Sequence, residues 1–538
     1  MRNRSITVLA LLCICAAAPA QSTSFNLAKW TQIQSALLKE LNRSYVDSLP
    51  VDRIEKAGID AMLGNLDPYT IFVPQEENED LQMMISKTYG GIGAMIYKPD
   101  KNGNVIINEP YEGSPAQKYS LCCGDEIVEI DGQSVHGLTS QQASDRMRGE
   151  AGSKVVFKVK KVRTGNLVDV TVVREKIHIP DIEYSAVFEG GVGYVRQAGF
   201  SEGVAAELRK EFLALKRQGI TKFVLDLRGN GGGLLSEAVD IVGLFVPKGS
   251  LVVTAKGREQ GASYVCRTAT EPVDTEIPVV VLIDSGSASA SEIVSGALQD
   301  LDRATIMGQR SYGKGLVQTI RSLPFGSQLK LTTAKYYTPS GRCVQAIDYS
   351  HRSEDGSVGH IPDSLTHEFK TASGRTVRDG GGITPDVTLG AKTYSRLTYS
   401  LVAYGVLEQY ALEYVRRHES IPAVEDFHFT DYEDFIAFAA DKTFDYRSTA
   451  RTYFDQMSSE LEKDGLKDSV SGELEALGKA LDMDKETFLR LKRDEIIPFI
   501  EEEIAIRYYF QRAGVQIQLR YDDALKEALA SPLISVGR

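Results

Sequence analysis

The sequence has few cysteines and histidines and no block of basic residues, and each shortage excludes a class of protein. Its 538 residues include 6 cysteines and 7 histidines, and no Cys/His spacing resembles a zinc site. Only Cys122, Cys123, Cys266 and Cys343 follow residue 20, too few for a disulfide scaffold in a chain of this length. The net charge is −12, and without a Lys/Arg block the chain lacks the electrostatic footprint of a DNA- or RNA-binding protein. We therefore expect no metal and no nucleic acid.

Long apolar runs are also missing. The run Ile6 to Ala18 is shorter than the ~20 residues that a membrane-spanning helix needs. Arg2 and Arg4 precede it, and Ala18-Pro19-Ala20 follows it, which is the layout of a secretory signal peptide; a short buried helix is the alternative. We expect cleavage after Ala20, and an exported mature protein with no integral membrane span.

The period of the apolar residues changes along the chain. Trp30, Ile33 and Leu37 have helical spacing, whereas strand-like alternation begins near residue 88. From about residue 190, strand and helix candidates alternate, which predicts an α/β core. Residues 392–538 are charged with helical periodicity, which favours packing or assembly helices. At about 100–200 residues per domain, the length suggests three or four domains.

The segment Ser285 to Ile293 joins a predicted buried strand to a predicted helix. A serine at such a junction can lie beside free backbone N–H groups, and the helix dipole favours an oxyanion there. Ser289-x-x-Glu292 is also a capping box, with Ser289 as N-cap, and this segment alone favours that interpretation. Both interpretations remain open.

A reactive serine needs a base, and no histidine lies near this segment. Lys314 follows 25 residues later, between Gly313 and Gly315. A lysine acts as a base where its pKa falls towards 7–8, and burial without a carboxylate partner lowers it. A solvated loop lysine is the alternative.

The third segment runs from Asp226 to Gly233 and contains four glycines. Consecutive glycines allow sharp turns that present N–H groups to a ligand. Phosphate binding is the rival interpretation, but the segment lacks the Gly-Lys-Ser/Thr ending of a P-loop.

Together these segments resemble the carboxyl-terminal processing (tail-specific) proteases, a family of Ser-Lys serine peptidases with a PDZ domain. The resemblance covers roughly residues 30–390. It rests on five motifs: Asp226-Leu227-Arg228-x-Asn230-x-Gly232-Gly233, Gly286 to Ile293, Tyr312 to Gly315 with Gln318, Tyr336 to Arg342, and Gly382 to Asp386.

The resemblance implies a role for each site residue. Ser289 would be the nucleophile, Lys314 the general base, and Gln318 the residue that orients the lysine. The N–H groups of Gly232 and Ala290 would form the oxyanion hole, although Gly231 and Gly233 adjoin Gly232. Glu292 lies near the site, and a capping role alone would account for it. The reaction would be acyl transfer without metal or cofactor.

Residues 88–178 resemble a PDZ domain. Tyr89 to Ala94 is similar to the carboxylate-binding loop, in which Gly91, Ile92 and Gly93 would bind a terminal carboxylate while the peptide adds as a strand. A glycine-rich hairpin is the alternative. The partners implied are proteins or peptides with free C-termini, and helical ends often mediate dimers in this family, which leaves a homodimer open.

These inferences combine into one predicted organisation. The fold class is α/β, with a crotonase-like (ClpP/crotonase-type) core, an inserted, mainly β PDZ domain, and helical N- and C-terminal regions. The predicted segments are a signal peptide (1–20), an N-terminal helical region (21–87), the PDZ domain (88–178), the Ser-Lys peptidase core (179–391) and a C-terminal helical region (392–538).

The predicted function is that of an exported serine endopeptidase that acts at protein C-termini. A bacterial-looking signal and family habit place it in the periplasm, with secretion beyond the cell as the alternative. A PDZ scaffold with an inactive or latent protease-like core, and a carrier of small apolar ligands, are the rival functions.

Overall fold

The computed structural model describes residues 18–98, 103–259, 261–353 and 356–530. Most of the predicted export signal, residues 1–17, therefore lies outside the described residues. The chain divides into two compact units, one of residues 1–74 with 320–332, the other of residues 75–319 with 333–538.

The described part of the first unit begins with two helices, α1 (Ala18–Ser44) and α2 (Val51–Gly64). The helix predicted from Trp30, Ile33 and Leu37 is confirmed, but these side chains are exposed, Trp30 by 63%. Strand β1 (Ile71–Val73) pairs antiparallel with residues 328–330. The Asp67 carboxylate forms the preceding turn, because it accepts the N–H groups of Tyr69 and Thr70.

The second unit opens with helix α3 (Asn78–Ser86) and a small β domain. Strands β2 (Thr88–Gly91) and β9 (Glu175–His178) pair at the two ends of this domain. Between them lies an antiparallel sheet in the order β3-β4-β5-β7-β8, with β6 beside β5, so β3 is an edge strand. Its elements are β3 (Ala94–Tyr97), β4 (Val105–Pro110), α4 (Pro115–Lys118), β5 (Glu126–Ile130), β6 (Gln133–Ser134), α5 (Ser140–Met147), β7 (Lys154–Lys160) and β8 (Leu167–Val173).

A six-stranded sheet forms the core, in the order β10-β11-β12-β15-β16-β23. All neighbours are parallel except β10 and β11, so the carboxyl ends of five strands meet at one edge, where parallel sheets form their sites. Its strands and helices are β10 (Ile182–Phe188), β11 (Val192–Gln197), α6 (Val204–Arg217), β12 (Lys222–Asp226), α7 (Leu235–Val242), β15 (Val279–Ile283), α8 (Ala290–Asp300), β16 (Ala304–Gly308) and β23 (Val387–Thr388). The predicted α/β alternation is confirmed.

Further strands surround this core. Strands β13 (Leu251–Gly257) and β14 (Tyr264–Arg267) pair with each other, and β13 also pairs with residues 334–337. The remaining strands are β17 (Leu316–Ser322), β18 (Gln328–Tyr337), β19 (Ile347–Arg352), β20 (Val358–His360), β21 (Glu368–Lys370) and β22 (Thr376–Arg378). The last four form two hairpins.

The C-terminal region is helical, as predicted. Its helices are α9 (Arg396–Ala403), α10 (Val406–Arg417), α11 (Tyr432–Ala440), α12 (Thr449–Lys463), α13 (Ser471–Leu481), α14 (Lys485–Leu491), α15 (Arg493–Arg520) and α16 (Asp523–Ala530). Helix α15 is interrupted at Tyr509 and Phe510. Within the described ranges, no helix has the length and apolar character needed to cross a membrane.

Two apolar layers enclose the central sheet. Helices α6, α7 and α8 bury one face, with Leu208, Ile241 and Val294 fully inside. The second layer comes from the C-terminal region, because Leu519 and Leu525 pack in one cluster with sheet residues. Parallel sheets need both faces covered, so the C-terminal helices supply part of the core itself.

Candidate active site

Ser289 lies at a sharp junction between β15 and α8. Its backbone has φ +55° and ψ −111°, a left-handed conformation that is strained for a residue with a side chain. Asp284 shapes the preceding turn, because its Oδ1 accepts the N–H groups of Gly229, Gly286 and Ser287. Ser289 is half-buried, and the next residue, Ala290, is the first of α8, where the N–H has no intrahelical partner.

Glu292 connects the predicted nucleophile to the predicted base. It is fully buried, and its Oε2 accepts the N–H groups of Ser289 and Lys314, both at 2.8 Å. Its Oε1 accepts the Gly313 N–H at 2.7 Å and the Ser311 hydroxyl at 2.6 Å. The predicted cap at α8 is thus confirmed, and the same carboxylate also holds the lysine loop.

Burial raises the pKa of Glu292 to about 7, although these four hydrogen bonds oppose the rise. A buried carboxylate is costly when charged, and donors that converge on it offset that cost. Glu292 therefore changes its charge near neutral pH.

Tyr336 forms a second link between the same two residues. Its side chain is buried, with 1% exposed, and its hydroxyl lies 2.6 Å from the Lys314 carbonyl oxygen and 3.1 Å from that of Ser289. Burial raises the pKa of Tyr336 well above its ordinary value, so the hydroxyl stays a donor. Glu292 accepts the N–H groups of Ser289 and Lys314, and the single hydroxyl proton of Tyr336 is shared between their carbonyl oxygens, of which that of Lys314 is nearer.

The glycine loop lies against the serine. A Cβ added to Gly232 would lie 2.8 Å from Ser289 Cβ and 2.9 Å from Ala290 N. The backbone oxygen of Asn230 accepts the Ala288 N–H at 3.0 Å and the Ser291 hydroxyl at 2.8 Å. The Gly232 N–H donates to Asn230 Oδ1 at 2.9 Å, so this predicted oxyanion donor is already bonded in the structure.

The remaining predicted catalytic residue, Gln318, lies in β17, four residues from Lys314. Both side chains are half-buried. The structure thus brings Ser289, Ala290, Gly232 and the Lys314 backbone together, and puts Gln318 on the strand that leaves the lysine loop.

Two positioning residues had no signal in the sequence. The buried Gln345 accepts the Gly315 N–H at 2.8 Å and donates to the Ile347 carbonyl at 2.8 Å. Ser311, which donates to Glu292, accepts the Ile383 N–H at 2.6 Å. Gly315 lies 30 residues from Gln345, and Glu292 and Ile383 lie 19 and 72 residues from Ser311, too far for a local motif to show these contacts.

The predicted carboxylate loop lies between β2 and β3. The carbonyl oxygens of Ile92 and Gly93 accept the N–H groups of Ala116 and Tyr111, while the N–H groups of Ile92 and Gly93 have no partner among the described residues. Gly93 has φ +69°, and a Cβ there would lie 2.6 Å from Ser114 Cβ. Ile92 is buried in the apolar core of this domain.

Three family models match this chain. Peptidase family S41 matches residues 191–351, a PDZ domain matches residues 106–161, and the model described as "Probable PDZ-protease, C-terminal helical domain" matches residues 397–531. The peptidase match spans Ser289 and Lys314, and the third match shows that the helical tail also has relatives.

Named relatives agree with these matches. A carboxy-terminal-processing protease of Bartonella bacilliformis is 37% identical over 333 residues, which cover 61% of this chain and 74% of the relative. A probable CtpA-like serine protease of Staphylococcus aureus is 35% identical over 308 residues, 57% of this chain and 61% of that one. Among solved structures, a photosystem II D1 C-terminal processing protease has a TM-score of 0.34 and 27% identity, over 65% of this chain and 90% of that chain.

Proposed function

Because the chain belongs to the carboxy-terminal-processing serine proteases of peptidase family S41, we propose that it is an exported endopeptidase that cleaves proteins by a Ser289–Lys314 acyl-enzyme mechanism. The observation that carries this proposal is the double link between the two residues, through Glu292 and Tyr336. Two side chains that hold both backbones give the pair one fixed relative position, which nucleophile and base require.

The reaction begins when Ser289 Oγ attacks the carbonyl carbon of the scissile peptide bond. Neutral Lys314 Nζ takes the hydroxyl proton and then gives it to the departing amine, which leaves an ester on Ser289. In the second half, Lys314 takes a proton from water, the hydroxide attacks the ester, and the proton returns to Ser289 Oγ as the new carboxylic acid leaves and releases its own proton to solvent. Gln318 orients Lys314, and the step needs no metal or cofactor.

The negative charge of each tetrahedral intermediate develops on the substrate oxygen. The Ala290 N–H at the start of α8 donates to this oxygen, and the positive end of the helix dipole lies beside it. Gly232 supplies the second donor, and its N–H must then exchange Asn230 Oδ1 for the oxyanion. The Gly232 contact with Ser289 and Ala290 supports this pairing of donors.

The PDZ domain selects substrates by their C-terminal tails. The N–H groups of Ile92 and Gly93, which have no partner in the part of the chain that the structure describes, bind the terminal carboxylate, with Gly91 before them. The edge strand β3 accepts the peptide as an added antiparallel strand. Substrates are therefore proteins or peptides with free C-termini.

The domain boundaries at 87/88, 178/179 and 391/392, the cleavage after Ala20, the periplasmic location and a homodimer remain predictions. They are consistent with the family, and each needs its own experiment. N-terminal sequencing of the mature protein tests the cleavage directly.

The decisive experiment uses the mature chain from Gln21 with an unstructured protein that ends in an apolar free carboxylate. Mass spectrometry identifies the fragments. We expect cleavage by the parent and none by folded Ser289→Ala or Lys314→Ala variants; a folded Lys314→Ala variant at near-normal rate would refute the base assignment.

The same assay tests tail capture. Amidation of the substrate C-terminus is expected to weaken binding, because the carboxylate loop loses its charged partner. Equal turnover of free-acid and amidated peptides would contradict the role of Gly91 to Gly93. Binding without cleavage, by parent and variants alike, would instead indicate a scaffold or a latent enzyme.

A further inference from the structure

The loop that contains Gly232 begins at a buried ion pair. Asp226 ends β12 and is 1% exposed, and the Arg228 guanidinium returns to it, with Nε 2.9 and 3.0 Å from the two carboxylate oxygens. The Tyr194 hydroxyl donates to Asp226 Oδ2 at 2.7 Å. Burial raises the pKa of the Asp226 carboxyl, but Arg228 outweighs that effect and the net pKa is lowered, so the pair stays charged.

Arg228 has a second carboxylate partner, which comes from the C-terminal helical region. Its Nη2 lies 2.6 Å from Asp522 Oδ2. The other oxygen of Asp522 accepts the Leu525 N–H at 2.8 Å, so Asp522 also caps α16. Burial lowers the pKa of Arg228, and the carboxylates of Asp226 and Asp522 more than offset this and raise it.

Asp522 is itself held in place against the sheet. Leu525 and Ala528 of α16 are fully buried in one cluster with Val224 of β12. At the other end of β12, Lys222 Nζ donates to the Ala528 carbonyl oxygen at 3.1 Å. Helix α16 is therefore bound to β12 near both ends of the strand.

Only three residues separate Arg228 from Gly232, which lies against Ser289 and Ala290. The intervening Gly229 N–H is held by Asp284 Oδ1 at 2.8 Å, and Asn230 is fully buried. The short backbone segment between Arg228 and Gly232 is therefore held at Gly229 and Asn230. A movement of Arg228 would consequently displace Gly232, the proposed oxyanion donor.

From this chain of contacts we propose that Asp522 is a positioning residue for proteolysis. Asp522 binds the Arg228 guanidinium and thereby holds the loop from Gly229 to Gly232 opposite Ser289. In this way the C-terminal helical region helps to position the oxyanion hole. The inference rests on the proposed Ser289 chemistry and adds to it a role for a region that the mechanism does not otherwise use.

The test compares Asp522→Asn with Asp523→Asn in the full mature chain. Asparagine keeps an oxygen for the α16 cap and removes only the charge at Arg228, whereas Asp523 forms a surface pair with Lys526. For Asp522→Asn we expect kcat to fall about tenfold, because one charge-assisted hydrogen bond that positions the loop is lost. We expect KM within about twofold, because the substrate contacts are retained, and a melting temperature well above the assay temperature, so that the lower kcat does not come from unfolded protein.

A double-mutant cycle with Arg228→Lys separates positioning from general destabilisation. If Asp522 acts through the guanidinium, Asp522→Asn has no further effect on kcat in the Arg228→Lys background. Equal kcat for Asp522→Asn and Asp523→Asn overturns the proposal, as does the same tenfold loss in the Arg228→Lys background.

If Arg228→Lys is too slow to measure, Asp522→Glu decides instead. Recovery of at least half of the parent kcat by this charge-retaining variant supports the proposal, and a rate as low as that of Asp522→Asn overturns it. Failure of the proposed function is distinguishable, because the parent would then cleave nothing, or a folded Ser289→Ala variant would cleave as fast as the parent.

Discussion

At the scale of single residues, two buried polar side chains define the geometry of the candidate dyad. Ser289 and Lys314 come from different loops, and their backbones are joined by the Glu292 carboxylate and the Tyr336 hydroxyl. Neither side chain needs to touch a substrate to matter, because a nucleophile and a base that drift apart by about 1 Å lose much of their rate.

Removal of the Tyr336 hydroxyl tests this geometry with a single-atom change. We expect Tyr336→Phe to lower kcat about tenfold, because one buried hydrogen bond to the Lys314 carbonyl is lost. Steady-state kinetics on a peptide substrate measure the effect. Tyr337→Phe is the control, since that neighbour is half-buried with Lys256 over its ring; equal rates for the two variants would refute a positioning role for Tyr336.

Glu292 gives the protein a pH dependence of stability. Its pKa rises from 4.5 to about 7 on folding, so between these values the folded chain binds the proton more tightly than the unfolded chain. The contribution of Glu292 to the free energy of unfolding is therefore fully present below about pH 4.5, and it is lost as the pH rises to about 7.

The corresponding measurement is urea unfolding at several pH values between 5 and 7. We expect the free energy of unfolding, taken relative to a Glu292→Gln variant, to fall across this interval. Glu475→Gln, on the exposed surface of α13, serves as the control. Parallel curves for the parent and Glu292→Gln would show that Glu292 does not titrate there.

At the scale of elements, the candidate active site is built from the turns that follow parallel strands. The Asp284 turn after β15 and the loop after β12 meet because both strands end at the same edge of the sheet. The positive φ of Ser289 makes the turn between β15 and α8 tight. The close approach of the glycine loop then leaves no room for a side chain at Gly232.

Adjacent glycines in this loop should respond differently to the same substitution. Gly232 has φ +99°, and a Cβ there would lie 2.7 Å from the Ala288 carbonyl oxygen, whereas a Cβ on Gly231 meets nothing within 4 Å. We expect Gly232→Ala to lower kcat/KM at least about a hundredfold by displacing Ser289 or the loop. Gly231→Ala should stay within about threefold in the same assay, and similar losses for both would contradict the packing.

At the scale of the whole molecule, the C-terminal region is part of the peptidase core. Leu519, Leu525 and Ala528 share a cluster with residues of the central sheet. The region also reaches the PDZ domain, where Glu109 of β4 accepts the Gln511 N–H at 2.8 Å, just after the interruption of α15. The PDZ domain and the sheet are thus both bound by the same helical region.

A core substitution in α16 measures this contribution. Leu525 is 1% exposed, so we expect Leu525→Ala to cost about 3 kcal/mol of unfolding free energy through lost burial and a cavity. Urea unfolding of the full mature chain gives the value. Leu477→Ala, at a leucine that is 45% exposed, should change it by less than about 1 kcal/mol. Equal costs would mean that α16 does not belong to the core.

Much of this organisation was predictable from local pattern. The alternation of strands and helices from residue 190, the β domain at 88–178 and the helical C-terminal region follow from apolar periodicity, because a period of 2 or 3.6 residues reports which faces are buried. The junction at Ser289 was visible as a capping box, since Glu292 lies only three residues away. The exposure of Trp30 was not predictable, because periodicity defines an apolar face without showing what covers it.

By itself, the sequence determined the order of the elements, the loops that carry Ser289, Lys314 and Gly232, and their resemblance to a protease family. Only the tertiary structure decided that Glu292 and Tyr336 join Ser289 to Lys314, and that Asp522 reaches Arg228. The reason is physical: local motifs arise from hydrogen bonds and packing within a few residues. In contrast, Tyr336 lies 22 residues from Lys314 and Arg228 lies 294 residues from Asp522, and only the folded sheet and its covering helices bring them within contact.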